Sequence, residues 1–210
     1  METASQADNS STEEATQAWY QAYYAARGAD RNDLLGNPEV LFQSLAFEVA
    51  NVRALRRLKL NRKEAAVLDV GCGSGAGLLN FLKLGFSRSN LAGIDINSER
   101  IDEARRTLPS VDFRCESADH MSFDSESFDI VFESTMFVQL TDERLAAAIA
   151  REMLRVTKQG GYIVIVDWRY AQPGSREYRA VSPGRIANLF EIRGGGGRVT
   201  GGGAGRTAGP

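Results

Sequence analysis

The chain has 210 residues, 43% of them hydrophobic and 25% charged, and a formal net charge of −2. That length suits one domain with a full core, and the near-neutral balance excludes a global basic field aimed at nucleic acid or an anionic membrane. Cys72 and Cys115 form no C-x-x-C pair, so neither a zinc site nor a disulfide framework is indicated; unpaired thiols fit a reducing, cytoplasmic setting.

Residues 1–15 are polar, lack the basic start and apolar run of a signal peptide, and are expected to be disordered. A helical cap is expected over 16–60. Its first part carries Trp19, Tyr20, Tyr23 and Tyr24, which read equally as a lid over a bound ligand or as an ordinary packed face. Arg27 and Arg31 follow in a loop. Asn37-Pro38-Glu39 is a helix start, with Asn at the N-cap, Pro in the first turn and an acid at the positive end of the dipole. Leu41, Leu45, Val49, Val52 and Leu55 keep a helical period behind it.

From Ala66 the pattern changes. Short apolar runs read as buried strands at Val67–Val70, Leu91–Asp95, Val111–Cys115, Phe128–Phe132 and Tyr162–Val166. Helical segments separate them at Ala76–Leu84, after Asn97 or Ser98, and from a Thr141 cap through Val156, closed by Lys158 and Gly160. Alternating strands and helices over 61–192 predict an α/β, doubly wound, mostly parallel sheet with helices on both faces. Residues 185–192 could form one more helix. The Gly-rich segment 193–210 is expected to be a disordered tail. The longest aliphatic run, Ile163–Val166, is too short to span a bilayer.

The chemistry concentrates where the first strand ends. Val67-Leu68-Asp69-Val70-Gly71-Cys72-Gly73-Ser74-Gly75 joins a strand to a helix through a loop with three glycines. Such a turn lets backbone approach a ligand closely, at the strand ends where open α/β sheets bind ligands. Asp95 ends the second strand and suits the two hydroxyls of a ribose. Gly71-x-Gly73-x-x-Ala76 also satisfies a dinucleotide fingerprint, so spacing alone leaves an NAD-binding oxidoreductase open. Asp69 argues against it: a carboxylate beside the loop repels a pyrophosphate and tolerates a ligand with a cationic amino-acid end.

Over residues 37–168 the chain resembles the class I, Rossmann-like S-adenosylmethionine-dependent methyltransferases. The glycine loop is similar to their first motif. Gly93-Ile94-Asp95-Ile96 resembles the second-strand acid followed by an apolar residue that packs on adenine. Ser127-Phe128-Asp129-Ile130-Val131 resembles the lead into the fourth strand, and Leu154-Arg155-Val156-Thr157-Lys158-Gln159-Gly160-Gly161 the turn before the fifth, with Gln159 in place of the usual proline. The resemblance implies an S-adenosylmethionine site built from Asp69, Gly71, Cys72, Gly73, Gly75, Asp95, Ile96, Ser117, Ala118 and Glu133. Ser117-Ala118 stands where the family often has Asp-Ala, so the acid for the adenine amino group is missing there. No metal is implied.

Two candidates for catalysis follow. His120 is the single histidine, a possible general base or a residue on the adenine rim. Glu133, with Ser134, ends the fourth strand beside the expected methyl group and either orients an acceptor or starts the next helix. Cys72 reads as a small packing side chain rather than a nucleophile, and Cys115 as buried filler. The expected reaction is in-line methyl transfer, O-methylation of a small-molecule or saccharide acceptor. Residues 30–39 resemble the front of bacterial members linked to surface-polysaccharide synthesis, which suggests a sugar hydroxyl; a small lipid or polyketide is an equal expectation. Nucleic-acid substrates and membrane insertion are not expected.

The family sheet normally closes with a two-strand hairpin beside the fifth strand, and no candidate for it follows Trp168. Two expectations arise: a chain truncated or frame-shifted near Ile192 and of low thermal stability, or a non-catalytic cofactor-binding subunit that needs a partner. A nucleic-acid-touching Arg-Gly tail has only Arg198 and Arg206 in its favour.

Overall fold

The computed structural model describes residues 33–170 and 178–192, together with Ala18 and Ala22. The aromatic segment 19–24, Arg27, Arg31 and the Gly-rich tail lie outside the described residues, and so do the expectations placed on them.

Helix α1 spans Pro38–Leu55, and the Asn37 side chain accepts from Glu39 N and Val40 N as its sequence promises. Strand β1, Val67–Val70, is followed by α2, Ala76–Lys83. Strand β2, Leu91–Asp95, leads to α3, Ser98–Thr107, capped by Asn97, whose side chain accepts from Arg100 N. Then come β3, Asp112–Cys115, and β4, Phe128–Ser134. Helix α4, Glu143–Val156, runs directly into β5, Thr157–Val166, and α5 spans Pro183–Leu189.

Among the described residues the sheet has five strands in the order β3-β2-β1-β4-β5, and each of these pairings is parallel. Its direction of growth reverses between β1 and β4, and the crevice outside the carboxyl ends of those two strands is where such sheets bind ligands. Strands covered on both faces carry near-continuous apolar runs, and all four residues of β1 are buried. Side chains alternate across the sheet. Leu68, Val70 and Val131 face a core shared with Ile149 and Met153 of α4. Val67, Ile130 and Phe132 face a second core with Leu78 and Phe81 of α2 and Ile101 and Ala104 of α3.

Several boundaries differ from expectation for local reasons. The cap of α4 is Asp142 rather than Thr141, because the Asp142 carboxylate accepts from Arg144 N at 2.8 Å. The segment Thr157-Lys158-Gln159-Gly160, expected as a closing turn, is the start of β5, entered through a register shift between Phe128 and Ile130 of β4. Strand β4 runs two residues beyond the expected Phe132, to Ser134. The periodic residues Leu41, Leu45, Val49 and Val52 do not form the buried face of α1; they point outward, as does Phe42, 74% exposed. The opposite stripe packs inward, with Phe47 edge-on to Trp168 at 5.2 Å and Ala50 and Ala54 against the second core. Among the described residues β5 hydrogen-bonds to β4 alone, and no helix is long and apolar enough to cross a membrane.

Candidate active site

A cleft of about 1410 Å³ opens at the reversal point of the sheet. Its floor is the loop after β1. Gly71, Gly73 and Gly75 all sit at positive φ (74°, 52° and 86°), a region that costs an L side chain 1 kcal/mol or more. At Gly73 the constraint is double, because a Cβ would also press on the Arg100 guanidinium, with Nε 2.8 Å away. Backbone bonds from Gly71 N and Cys72 N to Ile94 O, both 2.9 Å, tie the loop to β2. Asp95 completes the brace, its carboxylate accepting from Gly73 N and from Asn97 N, each at 2.8 Å. Each oxygen keeps a second lone pair, so the group can still receive hydroxyls.

Asp69 lies beneath this loop, 3% exposed. The strand's alternation turns it toward α2, where a Cβ on Gly77 would strike its carboxylate. Burial, with the charge of Asp95 added, pushes its pKa up from 3.8 to about 8. An acid held neutral in the wall of a cleft regains its charge when a cation arrives. The same burial, followed by the charges of Asp69 and Asp95, raises the Cys72 thiol, so it lines the floor as an un-ionised packing group.

The far walls were less legible. Helix α1 presents the stripe Val40, Gln43, Ser44, Phe47, Glu48 and Asn51 to the cleft, spaced as one helical face. Asn51 is 6% exposed and its Oδ1 has no hydrogen-bond partner among the described residues. At the β2–β3 end the cleft is lined by Ile96, Glu116, Ser117, Ala118 and Asp119. An acid, Asp119, stands two residues after Ser117. Ser117 Oγ donates to Asp119 Oδ1 at 2.5 Å, and Asp119 itself lines the cleft. At the β4–β5 end the lining is Ser134 to Met136, Val138 to Leu140, the α4 face Leu145, Ala148 and Ile149, and the aromatics Trp168 and Tyr178.

Of the residues singled out from sequence, Asp69, Gly71, Cys72, Gly73, Asp95, Ile96, Ser117 and Ala118 line one cleft. Gly75, His120 and Glu133 do not. Gly75 is turned under the loop, where a Cβ would meet Phe113 and Leu108. The His120 side chain is 61% exposed and its Nδ1 lies 2.9 Å from Asp119 Oδ1, so it stands behind the acid rather than in the cleft. Glu133 is fully buried. Its Oε1 accepts from Met136 N at 2.5 Å and Phe137 N at 3.2 Å, while its Oε2 is buried with no hydrogen-bond partner among the described residues, and the charge of Asp167 adds to burial in raising its pKa. The geometry therefore places neither His120 nor Glu133 against a ligand in the cleft. Asn51, Arg100, Asp119 and Gln139 were not singled out. For Arg100 the available signal was its place in the first turn of a helix after Asp95, where side chains lean back toward the preceding loop.

Fold and site together resemble those of the class I, Rossmann-like S-adenosylmethionine-dependent methyltransferases. Residues 67–161 match the family described as a methyltransferase domain. The chain is 36% identical over 106 residues to 2-methyl-6-phytyl-1,4-hydroquinone methyltransferase of Synechocystis, a stretch covering 49% of this chain and 31% of that protein. It is 30% identical over 129 residues to indolepyruvate C-methyltransferase of Streptomyces griseus, covering 59% and 39%. The match therefore spans less than half the length of either relative. A solved SAM-dependent methyltransferase of Methanosarcina mazei superposes with a TM-score of 0.52 at 25% identity, covering 63% of this chain and 80% of that one.

Proposed function

We propose that the chain transfers the methyl group of S-adenosylmethionine to a hydroxyl on a small acceptor with an apolar or aromatic body. The observation that carries this reading is the buried, neutral Asp69 beneath a glycine loop braced by Asp95. This acid suits the cationic end of the cofactor and opposes a pyrophosphate. The cofactor fits the residues present: Asp95 has free lone pairs for the ribose hydroxyls, Ile96 and Ala118 offer apolar faces to adenine, and Asp119 is an acceptor for its amino group. With the nucleoside end at β2–β3, the amino-acid end lies toward β1 and β4. Asp69 and the α1 stripe with its unmatched Asn51 wall that side.

Bound there, the cofactor supplies a methyl group on a sulfonium that is already a good leaving group. The protein's share of the catalysis is then mainly to hold the acceptor in line and keep water out. Met136, Val138, Leu140, Leu145, Ile149 and Trp168 would do this by packing on an apolar acceptor, an environment poorer for a bare sugar.

Two experiments test this reading. Calorimetry should show S-adenosylmethionine binding and none for NAD, and label should pass from the methyl group of the cofactor to a phenolic acceptor such as 2-methylhydroquinone. Binding of NAD alone would overturn the cofactor reading. Bound cofactor with no transfer to any hydroxyl would leave a binding subunit in place of an enzyme. Asn51→Leu should weaken S-adenosylmethionine and S-adenosylhomocysteine about tenfold. It should leave 5′-methylthioadenosine, which lacks the amino-acid end, bound as by the wild type. Equal losses on all three ligands would place Asn51 elsewhere.

A further inference from the structure

The segment after β4 is held with unusual care for a loop. Two carboxyl groups fasten it, one buried and one half-buried. Glu133 takes Met136 N and Phe137 N, and Asp167, just past β5, takes Val138 N at 2.8 Å. Thr135 is thereby held at a φ of 64°, a conformation a β-branched residue rarely adopts. Its carbonyl then receives the Gln139 side-chain Nε2 at 2.9 Å. A carbonyl can only accept, so this bond settles which way the Gln139 amide is turned. Its Oε1, on the other side, is buried and has no hydrogen-bond partner among the described residues, and Gln139 lines the cleft in a stretch otherwise bordered by Met136, Val138 and Leu140. A buried carbonyl oxygen left without a donor bears its desolvation penalty uncompensated. A strained, doubly clamped turn that ends in such an atom is built to meet a donor brought from outside.

We infer that Gln139 is the residue that orients the methyl acceptor, its Oε1 receiving the hydrogen of the acceptor hydroxyl. The amide takes up no proton and serves as no base; it selects acceptors that carry a donor and turns the oxygen lone pair away from itself. Glu133, Asp167 and Thr135 are positioning residues that act through it. This inference rests on the reading of the cleft as a methyl-acceptor site.

The full-length chain saturated with S-adenosylhomocysteine should bind 2-methylhydroquinone about tenfold more tightly than its dimethyl ether, which has the same ring but no hydroxyl donor. Gln139→Met, similar in size and apolar, should bind both with the weaker affinity while retaining wild-type melting temperature and S-adenosylhomocysteine affinity. Gln139→Glu repels the Thr135 carbonyl and should also lose the preference. Discrimination that persists in Gln139→Met, or is absent from the wild type, overturns the inference alone. If the wild type binds S-adenosylhomocysteine but neither aromatic probe, the proposed acceptor class falls with it.

Discussion

Asp69→Asn is expected to weaken S-adenosylmethionine binding by roughly ten- to a hundredfold near pH 8 and to flatten its dependence on pH. In the wild type the acid is mostly protonated at neutral pH, because its pKa stands at about 8. A ligand carrying an ammonium and a sulfonium favours the ionised form, so binding expels a proton. Affinity should therefore climb from pH 6 toward pH 8, and binding heats at pH 7 should differ between buffers of different ionisation enthalpy. The stability of the free protein moves the other way. With a folded-state pKa raised from 3.8 to about 8, the folded protein binds more protons than the unfolded chain across that interval, so stability falls as pH rises through it. The asparagine variant lacks this titration, so its melting temperature should exceed that of the wild type by several degrees at pH 8, with the gap closing toward pH 4. Equal cofactor affinity for the two proteins at pH 8, or binding without proton release, would remove Asp69 from the cofactor site.

Strands and glycines were legible in the sequence because their signals are local. Val67–Val70 reads as buried on both faces, the glycine loop ends it abruptly, and Asp95 lies at the end of the next strand. What sequence could not supply was the direction of side chains set by tertiary packing. The apolar period of α1 was real, yet Leu41, Leu45, Val49 and Val52 lie outside and the more polar stripe ending at Asn51 faces the cleft. Nothing within a single helix says which of its faces meets the sheet. His120 and Glu133 drew attention by residue type and by position in the chain. One turns to solvent behind Asp119, and the other follows the alternation of β4 into the core beneath α4 and α5. Asp119 escaped notice because the family motif pointed two residues earlier, and Gln139 because its meaning depends on the Thr135 carbonyl.

Glu133 supplies the other large effect. Two carboxyl groups can share a hydrogen bond only if one keeps its proton. Burial, followed by the charge of Asp167, holds Glu133 well above the usual carboxylate range, while burial raises Asp167 only to about 6. Glu133 therefore keeps its proton, which its otherwise unpartnered Oε2 can offer to Asp167, and Arg185 is the cation that favours the ionised Asp167. Glu133→Gln keeps both functions, since an amide oxygen can accept from Met136 N and Phe137 N while the amide nitrogen donates to Asp167. It should melt within a few degrees of the wild type and still transfer methyl groups, as a catalytic base replaced by an amide would not. Glu133→Leu strands the N–H groups of Met136 and Phe137 and removes the protonated carboxyl beside Asp167, which keeps its bonds from Val138 N and Trp168 N. We expect a loss of about 2–5 kcal/mol, and a melting temperature lower by roughly 10 °C. The pH dependence separates the two acids further. Protonated Glu133 stabilises the folded state, and that contribution is lost as pH rises through its elevated folded-state value. The wild type should therefore lose stability as pH rises above the ordinary glutamate range, whereas Glu133→Gln should lack this component. A loss of the same size with rising pH in both proteins would remove Glu133 as its source, and abolished transfer in a well-folded Glu133→Gln would show that Glu133 does more than hold the turn.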